Sequence, residues 1–376
     1  MKNPIRIQFN DPWLLALFLG LLGFGLVMIA CASIAIAEKQ TGVWFYYLER
    51  QVLFSIAGLM ICYATSKISL DWLERNAKIF LIINFLALIL VLIPGIGRNV
   101  NGSTRWITIA GFGLQISEFT KIMVVVYLAA YVVRFSEAIQ TDLKAFLRPF
   151  FVLSLIAGLL LLEPDFGSVV VIFMTGLALL FLAGVPLWQF LMLALVIAAS
   201  LVGLAVTSPY RWQRLTSFMN PWDDQFSSGY QLTQALIAFG RGEWFGEGIG
   251  RGVQKLFYLP EAHTDFIFAV IGEELGLIGA ISVLALYMLL VWRGFWLASM
   301  ALKVENYFAA YLAYGISLLF GMQALISIGV NVGMLPTKGL TLPFISYGGS
   351  SLIACMIALG LLLRVSSEIS RGATRK

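Results

Sequence analysis

Charge is sparse in this sequence: 12% of its 376 residues are Asp, Glu, Lys or Arg, about half the share found in soluble domains. There is one histidine, His263, which excludes a multi-histidine metal centre and any histidine-based triad elsewhere in the chain. The three cysteines, Cys31, Cys62 and Cys355, all lie inside apolar blocks. There each reads as a small hydrophobe, so no disulfide framework and no thiolate metal site is expected. No glycine-lysine phosphate loop occurs, which removes nucleotide hydrolysis by that route. The run Gly246, Gly248, Gly250, Gly252 lacks the preceding strand that a dinucleotide-binding unit requires. Nor is there a basic helix or cluster, so a net charge of +5 does not point to nucleic acid.

Apolar residues fill the space that charge leaves, at 60% of the chain and a mean hydropathy of +0.89. A soluble fold cannot hide that much apolar surface. About ten blocks are long enough to cross a bilayer as helices: residues 13–36, 48–66, 79–97, 116–133, 149–163, 167–184, 188–207, 265–292, 307–330 and 350–365. They occupy nearly the whole chain, which reads as one polytopic membrane domain over 1–376 with no separate soluble domain. The expected fold class is all-α integral membrane, with a long outward loop at 208–264 between the seventh and eighth spans. The first block exceeds the apolar core of a signal peptide and remains as an anchor.

Basic residues set the orientation. One set of segments carries Lys2, Arg6, Lys67, Arg75, Lys78, Arg134, Lys144, Arg148, Arg293, Lys303, Arg364, Arg371, Arg375 and Lys376. The opposite short segments carry fewer: Lys39, Arg50, Arg98, Arg105, Lys121 and Lys338. Both tails, 1–12 and 366–376, are therefore expected in the cytoplasm. Three outward segments, 98–115, 208–264 and 331–349, are rich in Gly or Pro or unusually long. Irregular backbone near membrane depth needs protein or a watery cavity to satisfy it, which places the working face outward.

The candidate chemistry clusters on that face. Asp265 follows His263 and Thr264 where the long loop enters the eighth span. Thr264 or Asp265 reads as a plain helix cap, and, compatibly with that, Asp265 reads as a carboxylate kept ionised by the positive end of the helix, as a general base must be. Glu273 and Glu274 lie deeper and diverge around the helix; a structural ion pair and catalysis are both open. Gly272, Gly276 and Gly279 read as close helix packing. Glu118 and Lys121 are three apart and can pair on one face; alternatively Lys121, with Arg105, meets an anionic headgroup. Asp165, in the turn Glu163-Pro164-Asp165-Phe166-Gly167, reads as an N-cap. The run from Leu335 to Ser351 brings Lys338 and the amides of Gly348 to Ser351 to a helix start, either a serine-capped glycine turn or a phosphate site using Ser350.

The stretches Leu259–Phe266, Glu273–Gly276 and Leu335–Ser351 resemble the FtsW and RodA family of shape, elongation, division and sporulation glycosyltransferases. The number of spans, the long loop and the Pro-Asp-x-Gly turn at 164–167 extend that resemblance over nearly the entire chain. Thr337–Pro343 is more similar to the division branch of the family than to the elongation branch. The resemblance implies polymerisation of lipid II into glycan strands at the outer leaflet of the bacterial inner membrane, at the division septum. It implies a class B penicillin-binding protein of the FtsI type as partner, alongside other division proteins. Asp265 matches the family's essential acidic residue and would take the proton of the acceptor hydroxyl as undecaprenyl pyrophosphate leaves. Arg105, Lys121 and Lys338 would meet the diphosphate, with a divalent cation (Mg or Mn) left open and no protein metal site assigned. Glu118, His263 and Ser350 join the substrate-binding set. Glu163 departs from the pattern, standing where Gln is expected. A flippase for the same lipid and a division scaffold are the alternative classes.

Overall fold

The computed structural model describes residues 11–100, 103–109, 112–207, 212, 218–223, 225–337 and 339–373. Three helices lead in, α1 (Pro12–Thr41), α2 (Tyr46–Thr65) and α3 (Leu70–Leu92), followed by strands β1 (Gly97–Val100), β2 (Ser103–Ile109) and β3 (Phe112–Gln115). Next come α4 (Ile116–Arg134), the short α5 (Ser136–Thr141), α6 (Leu143–Leu162), α7 (Phe166–Leu182) and α8 (Leu187–Val206). After these follow α9 (Tyr230–Gly242), α10 (Ile267–Lys303), α11 (Tyr307–Asn331) and α12 (Gly349–Ala373). Among the described residues, 8 helices are long and apolar enough to cross a membrane. The two other expected spans are also helical. Helix α2 carries Glu49, Arg50 and Gln51 in its first turns, and α7 is shorter, at 17 residues.

Local chemistry sets many of the helix ends. Asp11 accepts from the Leu14 amide at 3.0 Å, with Pro12 in the first helical turn, while Gly42 closes α1 with φ 72. Asp11 is fully buried and also takes two hydrogen bonds from Arg293, so the start of α1 is tied to α10. Asp165 caps α7 as expected, accepting from the Ser168 amide at 3.2 Å.

Helices α4, α11 and α12 form the centre of the bundle, with 78%, 67% and 72% of their apolar windows buried by protein. Helices α3 and α8, at 22% and 12%, lie outside and turn most of their surface to the hydrocarbon.

Two features differ from the sequence reading. The Gly-rich 98–115 segment folds into a three-stranded antiparallel sheet, with Gly97 opposite Ile107 and Trp106 opposite Gln115. Its glycines masked the two-residue alternation of a strand. The long loop contains α9, and its next residues are built into α10. That helix breaks at Gly276, where φ is 66 and ψ is −164, a conformation costly for any residue with a Cβ. At the break the amides of Glu247 and Gly248 donate to the carbonyls of Glu273 and Glu274 at 3.0 Å, and the amides of Leu277 and Ile278 donate to Glu243 and Trp244.

The carboxylates of Glu273 and Glu274, both fully buried, complete that junction. Glu273 accepts from the Val253 amide at 2.9 Å and the Gln254 amide at 3.1 Å, with Arg241 3.7 Å away. Glu274 accepts from the Gly250 amide at 2.8 Å and from the Lys255 ammonium at 2.5 Å. The structural alternative for this pair is thus the one the fold adopts. Two glycines of the false dinucleotide loop are needed for contact: a Cβ on Gly246 would lie 2.2 Å from the Glu274 carbonyl oxygen, and one on Gly252 2.8 Å from Glu273 Oε2.

Removing one partner of this buried pair strands the other. Glu274→Ala is expected to destabilise the protein by about 3–5 kcal/mol. Thermal unfolding in detergent measures that loss, and proteolysis within 243–255 should accelerate. Adding Lys255→Met should recover most of the loss.

Candidate active site

Helices α3, α4, α6, α7, α10, α11 and α12 bring one end of each to the same face, where the sheet, the 163–165 turn and the two irregular stretches, 261–266 and 335–348, meet. Those stretches are knitted together. The Ser346 hydroxyl donates to the Thr264 carbonyl at 2.6 Å and accepts from the Leu342 amide at 2.8 Å, while the Tyr347 amide donates to the His263 carbonyl at 3.0 Å. The half-buried Asp265 lies at this seam, close enough that a Cβ on Gly339 would sit 3.0 Å from its Oδ2.

Neither Thr264 nor Asp265 caps α10. The residue at the cap position is Phe266, and Thr264 bonds the Glu261 carboxylate at 2.7 Å instead. Capping comes from another helix: Asn331 Oδ1 accepts from the Ala269 amide at 3.0 Å, and its Nδ2 donates to the Asp265 carbonyl at 2.9 Å. The start of α10 and the backbone of Asp265 are therefore held by the last residue of α11. Asp265 stands one residue before the cap, within the field of the helix N-terminus.

Lys121 and Glu118 are both buried and pair at 2.8 Å. The same ammonium donates to Gln323 Oε1 at 2.9 Å, Gln323 Nε2 donates to the Thr341 carbonyl at 3.0 Å, and Thr341 meets Ser351 at 2.7 Å. Lys121 thus steadies the 339–342 stretch beside Asp265 from below. Ser350 is similarly engaged: its hydroxyl accepts from the Gln115 amide at 2.9 Å and donates to the Gly113 carbonyl at 3.2 Å, fastening β3 to α12.

Arg105, on β2, does not stand beside Lys121 as one of two open cations. It donates to the Glu163 carbonyl at 2.9 Å and to the Pro164 carbonyl, with Asp165 4.0 Å away. The turn it grips packs through Gly167 against Leu340, next to Gly339. His263 is buried between Tyr47 and Tyr347, with ring centroids at 4.6 and 5.6 Å. Burial pushes its imidazole below the usual value, opposed by the Glu261 carboxylate, so the ring is neutral at pH 7. Lys338 lies outside the described residues.

Asn331, Gln323, Gln51 and Ser346 were missed from sequence. Gln51 reaches the same junction, its amide facing the Ser346 carbonyl and the Gly348 amide at 3.4 Å each. For Gln323 and Asn331 the available signal was a side-chain amide inside an apolar run, expensive in hydrocarbon unless it has a partner; Gln51 and Ser346 carried no such signal.

No group of three or more His, Cys, Asp and Glu side chains that could hold a metal ion occurs among the described residues. What Asp265 offers is a single carboxylate, which suits a cation that takes its other ligands from water and substrate phosphates.

Comparison with known proteins gives the family. The family of FtsW, RodA and SpoVE, described as cell cycle proteins, matches residues 12–371. A probable peptidoglycan glycosyltransferase FtsW of Coxiella burnetii is 53% identical over 370 residues, covering 98% of this chain and 99% of the relative. Its counterpart in Pseudomonas fluorescens is 52% identical, covering 96% and 89%. Among solved structures, a chain from a peptidoglycan synthase complex that coordinates polymerization and crosslinking superposes with a TM-score of 0.77 at 28% identity, covering 96% of this chain and 98% of that one. The rod shape determining protein RodA of Thermus thermophilus gives 0.72 at 27% identity, covering 97% and 99%.

Glu163 is fully buried, and neither carboxylate oxygen has a hydrogen-bond partner. Burial, and then the charge of Asp165, push its carboxyl up to about 8 against the opposing pull of Arg105, so at pH 7 it is a neutral stand-in for glutamine. An acid whose folded value is raised contributes stability that is whole below about 4.5 and is lost as pH rises through about 8. Glu163→Gln is therefore expected to raise the melting temperature at pH 8 by on the order of 3 °C, with a smaller difference at pH 5, as thermal scans at the two pH values would record.

Proposed function

The chain belongs to the FtsW, RodA and SpoVE family of cell cycle proteins, and we propose that it is a peptidoglycan glycosyltransferase of cell division that polymerises lipid II. In this reading Asp265 accepts the proton of the acceptor sugar's hydroxyl, the oxygen attacks the donor's anomeric carbon, and undecaprenyl pyrophosphate departs. General-base action needs an ionised carboxylate within reach of the hydroxyl. The half-exposed position of Asp265 before the start of α10 suits that need.

The observation that carries the proposal is the seam itself. The Asp265 carbonyl accepts from Asn331 at the end of α11, and the carbonyls of its neighbours Thr264 and His263 accept from Ser346 and Tyr347 in the stretch that leads into the N-terminus of α12. Helix N-termini attract phosphate oxygens, so base and diphosphate would sit on opposite sides of one mouth. Lys338 would supply full positive charge to the leaving group. Lys121 and Arg105 act mainly by holding the walls, through Gln323 and through the 163–165 turn. If a magnesium or manganese ion is used, Asp265 would be the residue to hold it, and the ion would supply positive charge to the departing pyrophosphate.

The multi-pass helices embed the protein in a membrane. We place the mouth on the periplasmic side of the inner membrane and both termini in the cytoplasm, from the asymmetry of basic residues. A class B penicillin-binding protein would crosslink the strands made here, at the septum with the other division proteins.

The test is a paired assay on purified protein with its cognate penicillin-binding protein. Asp265→Ala and Asp265→Asn should lower lipid II polymerisation by about 10²–10⁴ while leaving the melting temperature unchanged. Glycan synthesis by either variant at the parental rate would remove Asp265 from its role. Translocation of lipid II in proteoliposomes without polymer would replace the enzyme with a transporter.

A further inference from the structure

At the end of α3 and α4 opposite the sheet, a cavity of about 230 Å³ opens between the first turns of α3 and the last turns of α4. The small side chains Ala77 and Ala130 leave the space it occupies. Three cations line it, Arg75 and Lys78 from α3 and Arg134 from α4, all exposed, together with Asp71 and Glu74. None of the three cations makes a hydrogen bond or an ion pair within 4.0 Å among the described residues. Glu74 senses Arg134 and Arg75 through space without touching them. Positive groups gathered around an open space, unspent on internal partners, lower the energy of an incoming anion.

The size of the cavity and its surroundings narrow the ligand. It is smaller than the roughly 300–1,000 Å³ of sites that enclose a drug-sized molecule, so it takes a headgroup and leaves the rest of the ligand outside. The outer face of α3 continues from it toward the membrane centre through Ile79, Ile82, Ile83 and Leu86, between 53% and 59% exposed. These recur at the three- and four-residue spacing of one helix face, the face that also bears Arg75. Trp72, half exposed beside the cavity, suits the membrane interface.

We propose that this pocket is a structural phospholipid site in the leaflet opposite the active-site mouth. The lipid's phosphodiester is held by Arg75, Lys78 and Arg134, and its acyl chains lie along Ile79, Ile82, Ile83 and Leu86. Asp71 and Glu74 give the pocket a second polarity, which an amine on the headgroup satisfies, so an ethanolamine phospholipid is favoured over a glycerol one. The site goes beyond the glycosyl transfer chemistry and is independent of it.

Native mass spectrometry of the purified full chain, titrated with phosphatidylethanolamine or phosphatidylglycerol, tests the assignment. Arg75→Gln, Lys78→Gln and Arg134→Gln combined should weaken retention of both lipids on the order of a hundredfold, each basic side chain contributing about a fivefold factor, with melting temperature in bare detergent unchanged. The pair Asp71→Asn and Glu74→Gln should leave phosphatidylglycerol bound and abolish the preference for ethanolamine. Parental retention by the triple variant overturns the site. Glycerophosphoethanolamine, which lacks acyl chains, binding as tightly as the intact lipid overturns the lipid source, and an undiminished ethanolamine preference in the second variant overturns the amine contact.

Discussion

A backbone amide or carbonyl in hydrocarbon must find its partner inside the protein, and the irregular parts of this chain are arranged around that constraint. Wherever the backbone leaves the helix at the active end, another segment supplies the missing bonds. Asn331 caps α10 from a neighbouring helix, Ser346 and Tyr347 satisfy carbonyls of the Asp265 stretch, and residues 243–248 close the break at Gly276. Without these bonds the 261–266 and 335–348 stretches would carry unsatisfied polar groups, and the position of Asp265 would be undefined.

The same constraint explains the buried charges. Glu273 and Glu274 are not idle carboxylates deep in a helix. They receive backbone amides and cations from a loop that would otherwise be hard to order. Lys121 and Glu118 neutralise each other and leave the ammonium free to hold Gln323, which holds Thr341. Charge in the bundle interior is thus used to position backbone near Asp265, and Lys121 bears on that stretch through Gln323.

Much of this was legible residue by residue. The apolar blocks located the long helices because a helix must rise through the hydrocarbon, although α3 starts at Leu70 and ends at Leu92 where 79–97 was expected and α10 runs on to Lys303 past the expected 292; Asp165 capped α7 where its place after Pro164 suggested. The 98–115 segment was misjudged because its glycines outweighed the alternation that makes strands. Asp265 was mistaken for a possible cap because local rules consider only the residue's own helix, and the actual cap, Asn331, lies 62 residues away from its Ala269 partner.

By itself the sequence determined a membrane-embedded helical chain and its family, since hydropathy and motif are properties of short stretches. Only the tertiary structure decided which groups surround Asp265, that Arg105 grips the 163–165 turn, that Lys121 works through Gln323, and that Arg75, Lys78 and Arg134 share a cavity. Those facts depend on pairing between distant segments, where desolvation selects the partner, and no local pattern records that choice.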